Sequence, residues 1–254
     1  ESLGSPSSPE PSSVFLITVD TLRSDRLGVY GNDVIKTPHL DRLANRGTVF
    51  LEAFAQSSTT TPSHASLFSG LYPRDHHAYS NFESIDGSLP SIAADFSQAG
   101  YDTFALVNMR HLNPEISGIA SHFETIVHSQ GYRNVSDSVD TVVDWLKSRS
   151  HDARPVFVWL HLVDVHTPYK PPAPFDRLYY EGDEHADAHD SLDYVWPSLP
   201  DYLSGHASFQ KWLKDVRDVE WVVAQYDGAV TYVDYHLGRL FKEVEGVFGP
   251  ENPP

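Results

Sequence analysis

The sequence predicts an α/β fold, a mostly parallel central sheet flanked by helices on both faces, on three observations. Residues 14–19 (VFLITV) and 156–162 (VFVWLHL) are continuous apolar runs with β-branched residues, the pattern of strands buried on both faces. Residues 135–148 and 219–244 place apolar side chains at helical spacing. Strand and helix patterns alternate along the chain, the order that builds parallel strands crossed over by helices.

Taken in order, the elements are these. Residues 1–13 are Ser- and Pro-rich without an apolar core and read as a disordered lead-in rather than a signal peptide. The first strand, 14–19, leads to a helix over 38–46, and 48–55 reads as a short strand. Pro62 suits the first helical position and Thr61 the N-cap, so a helix is expected over 62–69. A second helix is expected over 89–99, closed by Gly100. Residues 103–107 read as a strand and 123–127 as a weaker one. In 135–148 the apolar positions are Val135, Val139, Val142, Val143 and Leu146, one face of a helix. Strand 156–162 follows. Residues 167–217 are rich in Pro, Tyr, Asp and His without periodicity, and read as a long excursion over the active-site face. The amphipathic helix over 219–244 carries Val222, Val223, Tyr226, Val230, Val233, Leu237 and Leu240. The organisation is therefore a lead-in, 1–13, and one unit over 14–254, and 254 residues suffice for a substantial core.

Composition excludes several function classes. A net charge of −17 opposes binding of nucleic acid or an anionic membrane through a basic surface. It fits a very soluble surface, and also adaptation to high salt, where screening removes the self-repulsion of such a charge. With no cysteine there are no disulfides and no thiolate metal sites. No uncharged apolar run reaches roughly 18 residues, so no membrane span is expected. With no leader in the residues given, a cytoplasmic location is expected.

Polar groups stand at the ends of these elements, where open α/β sheets gather their ligand sites. Asp20, at the exit of the first strand, offers a hard oxygen ligand for a divalent cation. The hydroxyl-rich run from Ser57, with Thr60 and His64, feeds into a helix N-terminus, where free N–H groups and the dipole attract an anion. His166 follows the strand at 156–162.

The segments Asp20-Thr21-Leu22-Arg23 to Tyr30-Gly31, Thr37-Pro38-His39-Leu40-Asp41-Arg42-Leu43-Ala44, Thr60-x-Pro62-Ser63-His64 with Gly70-Leu71-Tyr72-Pro73, and His166-Thr167-Pro168-Tyr169 resemble those of the sulfatases of the alkaline phosphatase superfamily, in that family's order and spacing. The strong matches lie between Asp20 and His76, with weaker ones to about Leu240. The resemblance implies an alkaline phosphatase-like fold and a metal-dependent hydrolase of sulfate or phosphate esters, on a small-molecule or glycan substrate. It implies a divalent cation, Ca2+ for a sulfatase-like site and Zn2+ or Mn2+ for a phosphodiesterase-like one, held by Asp20 and Thr60. It places Thr60 at the nucleophile position, His64 beside it and His166 as the histidine that meets the substrate anion.

The departures from the family carry information. Typical sulfatases have Cys or Ser at the nucleophile position, oxidised to formylglycine, whose hydrated aldehyde attacks sulfur. Thr60 has a methyl and a single hydroxyl, and His64 stands where the maturation motif has Arg, so formylglycine is not expected. A threonine alkoxide, activated by a divalent cation, can attack directly, and its ester must then be cleared by water. That is the path of the superfamily's Thr-dependent phosphodiesterases and phosphotransferases, and it favours a phosphate ester. A third reading is a sulfatase fold without catalysis. Thr21 replaces the second Asp common in the family. Asn108-Met109-Arg110-His111 falls where many sulfatases carry Gly-Lys-Trp-His, with Asn108 for the Lys and the His out of register, so neither Arg110 nor His111 is assigned a role. A further strand with the remaining ligands would begin near residue 249, so the resemblance implies the N-terminal portion of a larger domain. Arg23 is expected to pair with Asp25 or a helix C-terminus, and His185, His189 and His206 read as solvated loop composition rather than a metal tract.

Overall fold

The computed structural model describes residues 12–129, 131–149 and 154–249. Among them four strands make one parallel sheet: β1 (Val14–Val19), β2 (Asp102–Val107), β3 (Thr125–His128) and β4 (Val156–Leu162), in the order β1-β4-β2-β3. Central β4 has all seven residues buried, whereas β1, at the sheet edge, is half-buried throughout. Because the strands are parallel, their C-terminal ends open on one side, and Asp20, Asn108 and Val163 leave the sheet together.

Among the described residues there are ten α-helices: α1 (Pro38–Ala44), α2 (Thr60–Ser69), α3 (Pro73–His76), α4 (Ile92–Gln98), α5 (Pro114–Ser117), α6 (Val135–Ser148), α7 (Ser191–Val195), α8 (Asp201–Ser204), α9 (Ala207–Trp212) and α10 (Val219–Phe248). Strand alternation divides the core in two. Leu106, Val158 and Leu160 meet Val139 and Val142 of α6 and Val233 and Leu237 of α10. On the other face Ala105, Phe157 and Trp159 meet Ala65 and Phe68 of α2 and Ala93 of α4. Helices therefore cover both faces, as expected. Asn134 caps α6 by accepting from the Asp137 N–H at 2.9 Å. Within α10, the Asp234 carboxylate accepts from the N–H groups of Leu40 and His39 and so holds the start of α1. Gly228 and Gly238 let Phe175 and His39 approach α10 where a Cβ would overlap them.

Several expectations shift. The expected strand at 48–55 is irregular; Phe50, Leu51 and Phe54 are exposed, and no described strand lies alongside to pair with it. Helix α2 starts at Thr60, not Pro62, with Thr59 rather than Thr61 as N-cap. Helix α4 starts at Ile92, because Pro90 disfavours a helical Leu89 and leaves Ser91 as an extended cap. The strand expected at 123–127 forms as β3, two residues later at its start. Residues 1–11 of the expected lead-in lie outside the described residues. Ser12 and Ser13 are docked, Ser12 C=O accepting from the Tyr101 hydroxyl and the Ser13 hydroxyl from the Val156 N–H. The aperiodic region 167–217 contains α7, α8 and α9 around a small core of Leu192, Leu213 and Val216. Its Trp212 packs edge-on against Tyr169, which also meets Tyr226 of α10. No described helix is long and apolar enough to cross a membrane.

Candidate active site

The C-terminal ends of β1 and β4 and the first turn of α2 build the site. Asp20 extends β1, its N–H donating to Leu162 C=O at 2.9 Å. The next residue, Thr21, has φ of 59°, a left-handed conformation strained for a β-branched residue. Its hydroxyl lies 2.7 Å from both Asp20 C=O and Val165 C=O, and its own C=O accepts from the Tyr226 hydroxyl at 2.8 Å. These contacts hold the turn that fixes the Asp20 carboxylate and tie it to the loop before His166.

Thr60 donates its hydroxyl to Asp20 Oδ2 at 3.2 Å. This is the central contact of the site, a hydroxyl and a carboxylate forty residues apart in sequence. The helix start is more fully occupied than its hydroxyl content suggests. The Thr61 N–H donates to Asn81 Oδ1 at 2.9 Å, the Thr59 N–H to Ser57 Oγ, and Pro62 has no N–H. Among the described residues, that leaves the Thr60 N–H as the open amide of the turn, so an anion meets one backbone donor there rather than several.

His64 is buried on the inner side of this turn, its Nδ1 lying 2.8 Å from Thr60 C=O. Burial holds its imidazole below the ordinary range, against the backbone carbonyl and Asp20, which favour the charged form. It faces Thr60 through the backbone, and its ring packs edge-on against His161 with centroids 4.9 Å apart.

His166 donates from Nδ1 to Thr167 C=O at 2.8 Å, so in the neutral form its Nε2 is a bare lone pair. Only as imidazolium could this nitrogen donate to an anion. His111 joins the same group: burial holds it below the ordinary range, Asp20 opposes that, and nearby His166 and His64 add to it. Its Nε2 is buried with no partner, and its ring meets Phe82 edge-on. The sequence left His111 without a role, because the register of its segment against the family pattern hid it. His161 and Thr18 were missed too. His161 sits within a continuous apolar run, and Thr18 reads as an ordinary β-branched strand residue. Arg110 has no hydrogen bond or ion pair to any of these groups among the described residues.

The remaining candidates are structural. Arg23 pairs with Asp25 in an exposed two-pronged contact. His185, His189 and His206 each find separate partners, the Asp215 carbonyl, Asp218 and Ser208.

Asp20 and Thr60 bring two hard oxygens together, the donor chemistry that Ca2+ prefers, but Ca2+ takes about six to eight. Among the described residues no group of three or more His, Cys, Asp or Glu is arranged to hold a metal ion. These residues alone do not complete a cation site.

Comparison with known proteins agrees with this architecture. The sulfatase family model matches residues 12–249. An arylsulfatase of Clostridium perfringens is 24% identical over 285 residues, covering 89% of this chain and 58% of the relative. Human iduronate 2-sulfatase is 24% identical over 300 residues, covering 91% and 51%. The phosphonate monoester hydrolase of Agrobacterium radiobacter superposes with a TM-score of 0.68 at 20% identity, covering 95% of this chain and 61% of that one. The chain thus spans between about half and three fifths of the length of these proteins. With four parallel strands, helices on both faces and a family match over nearly all the described residues, the chain belongs to the sulfatase family.

Proposed function

We propose that this chain carries the nucleophile half of a site that hydrolyses sulfate or phosphate esters, with Thr60 as nucleophile. The observation that carries the reading is the Thr60 hydroxyl donating to the Asp20 carboxylate at the open ends of β1 and β4. Thr60 Oγ1 attacks the sulfur or phosphorus of the ester as Asp20 takes its proton, the bond to the bridging oxygen breaks, and the leaving alkoxide takes a proton from water. The product is a threonine ester of the anion. Thr60 offers no second hydroxyl to expel that anion, so water attacks sulfur or phosphorus and restores the threonine. The Thr60 N–H and the α2 dipole favour the anion at this point, and His166 and His111 flank it.

The single hydroxyl favours a phosphoester over a sulfate ester, because clearance must occur by attack at the central atom. Relatives that include an iduronate 2-sulfatase support a glycan or other small-molecule ester as substrate. The test is turnover of aryl sulfate, aryl phosphate and bis-aryl phosphate by the whole chain and by Thr60→Ala. Loss of all turnover in the variant supports the reading, and turnover that survives it refutes it. Ca2+, Zn2+ and Mn2+ are added in turn while the melting temperature is followed. A cation held by Asp20 and Thr60 raises it in the whole chain and raises it less in Asp20→Asn.

A further inference from the structure

We propose that Thr18 is a positioning residue that orients the nucleophile turn through His64. The inference rests on the reading of Thr60 as nucleophile. Thr18 Oγ1 has three nitrogen neighbours: Trp159 Nε1 at 3.1 Å, His161 Nδ1 at 3.1 Å and His64 Nε2 at 3.4 Å. A hydroxyl has one proton to give and two lone pairs to receive, so the roles are determined by counting.

The count starts at Thr60. Its carbonyl accepts only, so His64 Nδ1 must carry the proton it points there. In a buried, neutral imidazole Nε2 is then bare and needs a donor. Thr18 is the hydroxyl within reach, so its proton goes to His64. The indole N–H of Trp159 can only donate to Thr18. His161 Nδ1 must therefore donate as well, which leaves His161 Nε2 as a bare lone pair. That nitrogen is buried without a partner, and an orphaned acceptor is a lesser fault than an orphaned N–H. Every proton has a place, and the chain runs from Trp159 and His161 through Thr18 and His64 to the carbonyl of Thr60. The sheet residues that anchor it are rigid: Trp159 and His161 lie on central β4 and are fully buried. Its outer end is the backbone of the residue whose hydroxyl meets Asp20. Thr18 touches no reacting atom; its proton holds the bare Nε2 of His64, whose tautomer the Thr60 carbonyl sets, and so it fixes the ring and, through it, the rotation of the turn.

The experiment uses the whole chain with 15N-labelled histidine. Long-range 1H–15N spectra of the wild type are expected to show His64 and His161, assigned by His→Gln variants, both neutral and both protonated at Nδ1. His64 protonated at Nε2 overturns the proposal, whatever the activity. Thr18→Ser keeps the hydroxyl and is expected to keep both signals, and Thr18→Val is expected to move the His64 Nε2 resonance to that of an imidazole nitrogen without a hydrogen bond, Nδ1 keeping its proton. In hydrolysis of an aryl phosphate or aryl sulfate, Thr18→Val is expected to lower kcat about 10²-fold with little change in KM, the scale of a slightly misplaced reacting group, and Thr18→Ser to restore most of it. Equal kcat in Val and Ser variants overturns the proposal. If Thr18→Val does not fold, the wild-type tautomers and the Ser variant decide. Turnover that survives Thr60→Ala counts against Thr60 as nucleophile, while the tautomers still decide the role of Thr18.

Discussion

Asp164 couples stability to pH in a way that can be worked out from its surroundings. It follows β4 and is 4% exposed. Oδ1 accepts from the Tyr132 hydroxyl at 2.8 Å and the Val135 N–H at 3.0 Å, which joins the end of β4 to the start of α6. Oδ2 is buried with no partner. Burial outweighs these two bonds and pushes the carboxyl up to about 6, from 3.8 for a free aspartate. A raised folded-state value means the folded protein holds this proton more tightly than the unfolded chain. The stability it contributes is complete below the unfolded value and is lost as pH rises from about 4 through about 6. That difference corresponds to about 3 kcal/mol. The assay is urea unfolding of the wild type and Asp164→Asn at steps from about pH 4 to about pH 7. The amide oxygen keeps the two hydrogen bonds, and its NH2 sits unpaired where Oδ2 was, a cost of about 1–3 kcal/mol that does not depend on pH. The slope of the difference between the two proteins is therefore the signal. The wild type is expected to lose about 3 kcal/mol relative to the variant across the range. A difference that stays flat within about 1 kcal/mol means Asp164 is ionised at no penalty in the fold, and the burial argument fails.

Other substitutions test the packing and the turn. Gly228→Ala places a Cβ against the carbonyl oxygen of Phe175, a backbone atom that cannot turn aside, and is expected to cost about 1–3 kcal/mol or more in urea unfolding. Phe68→Ala empties the space beside Trp159, whose ring centroid lies 4.5 Å away, and is expected to cost about 3–5 kcal/mol. Asn81→Ala removes the acceptor for the Thr61 N–H and is expected to cost about 1 kcal/mol, the usual scale for loss of a helix cap. No loss with Asn81→Ala means the cap is replaced by water at no cost.

Much of the fold is legible in the sequence, and for physical reasons. Strands β1 and β4 and helix α6 fall on the residues that pattern alone selects, because a continuous apolar run and a strongly one-sided helix leave little ambiguity, although β1 lies half-buried at the sheet edge rather than buried on both faces. The start of α2 was misplaced by two residues, because Pro62 fits the first turn at more than one position. Residues 48–55 look strand-like, but a strand requires a neighbour that the pattern of one segment does not report. In the site, Asp20, Thr60, His64 and His166 stand at element ends, where their polarity is conspicuous. The structure brings Asp20 and Thr60 into contact and puts His64 behind Thr60 rather than in front of it. Thr18 and His161 were hidden because their roles depend on register across β1 and β4, where they are paired, and register is not written in either strand alone. The same holds for Asn81, which takes one of the amides that a helix start would otherwise offer an anion.

If Thr60 is the nucleophile, it forms a covalent ester with the substrate anion. The most direct measurement is mass spectrometry of the whole chain quenched in acid during turnover of an aryl phosphate or aryl sulfate. The expected result is the added mass of one phosphoryl or sulfuryl group on the peptide that contains Thr60, absent in Thr60→Ala. Steady turnover with no adduct on that peptide, or an adduct on a different residue, would contradict it.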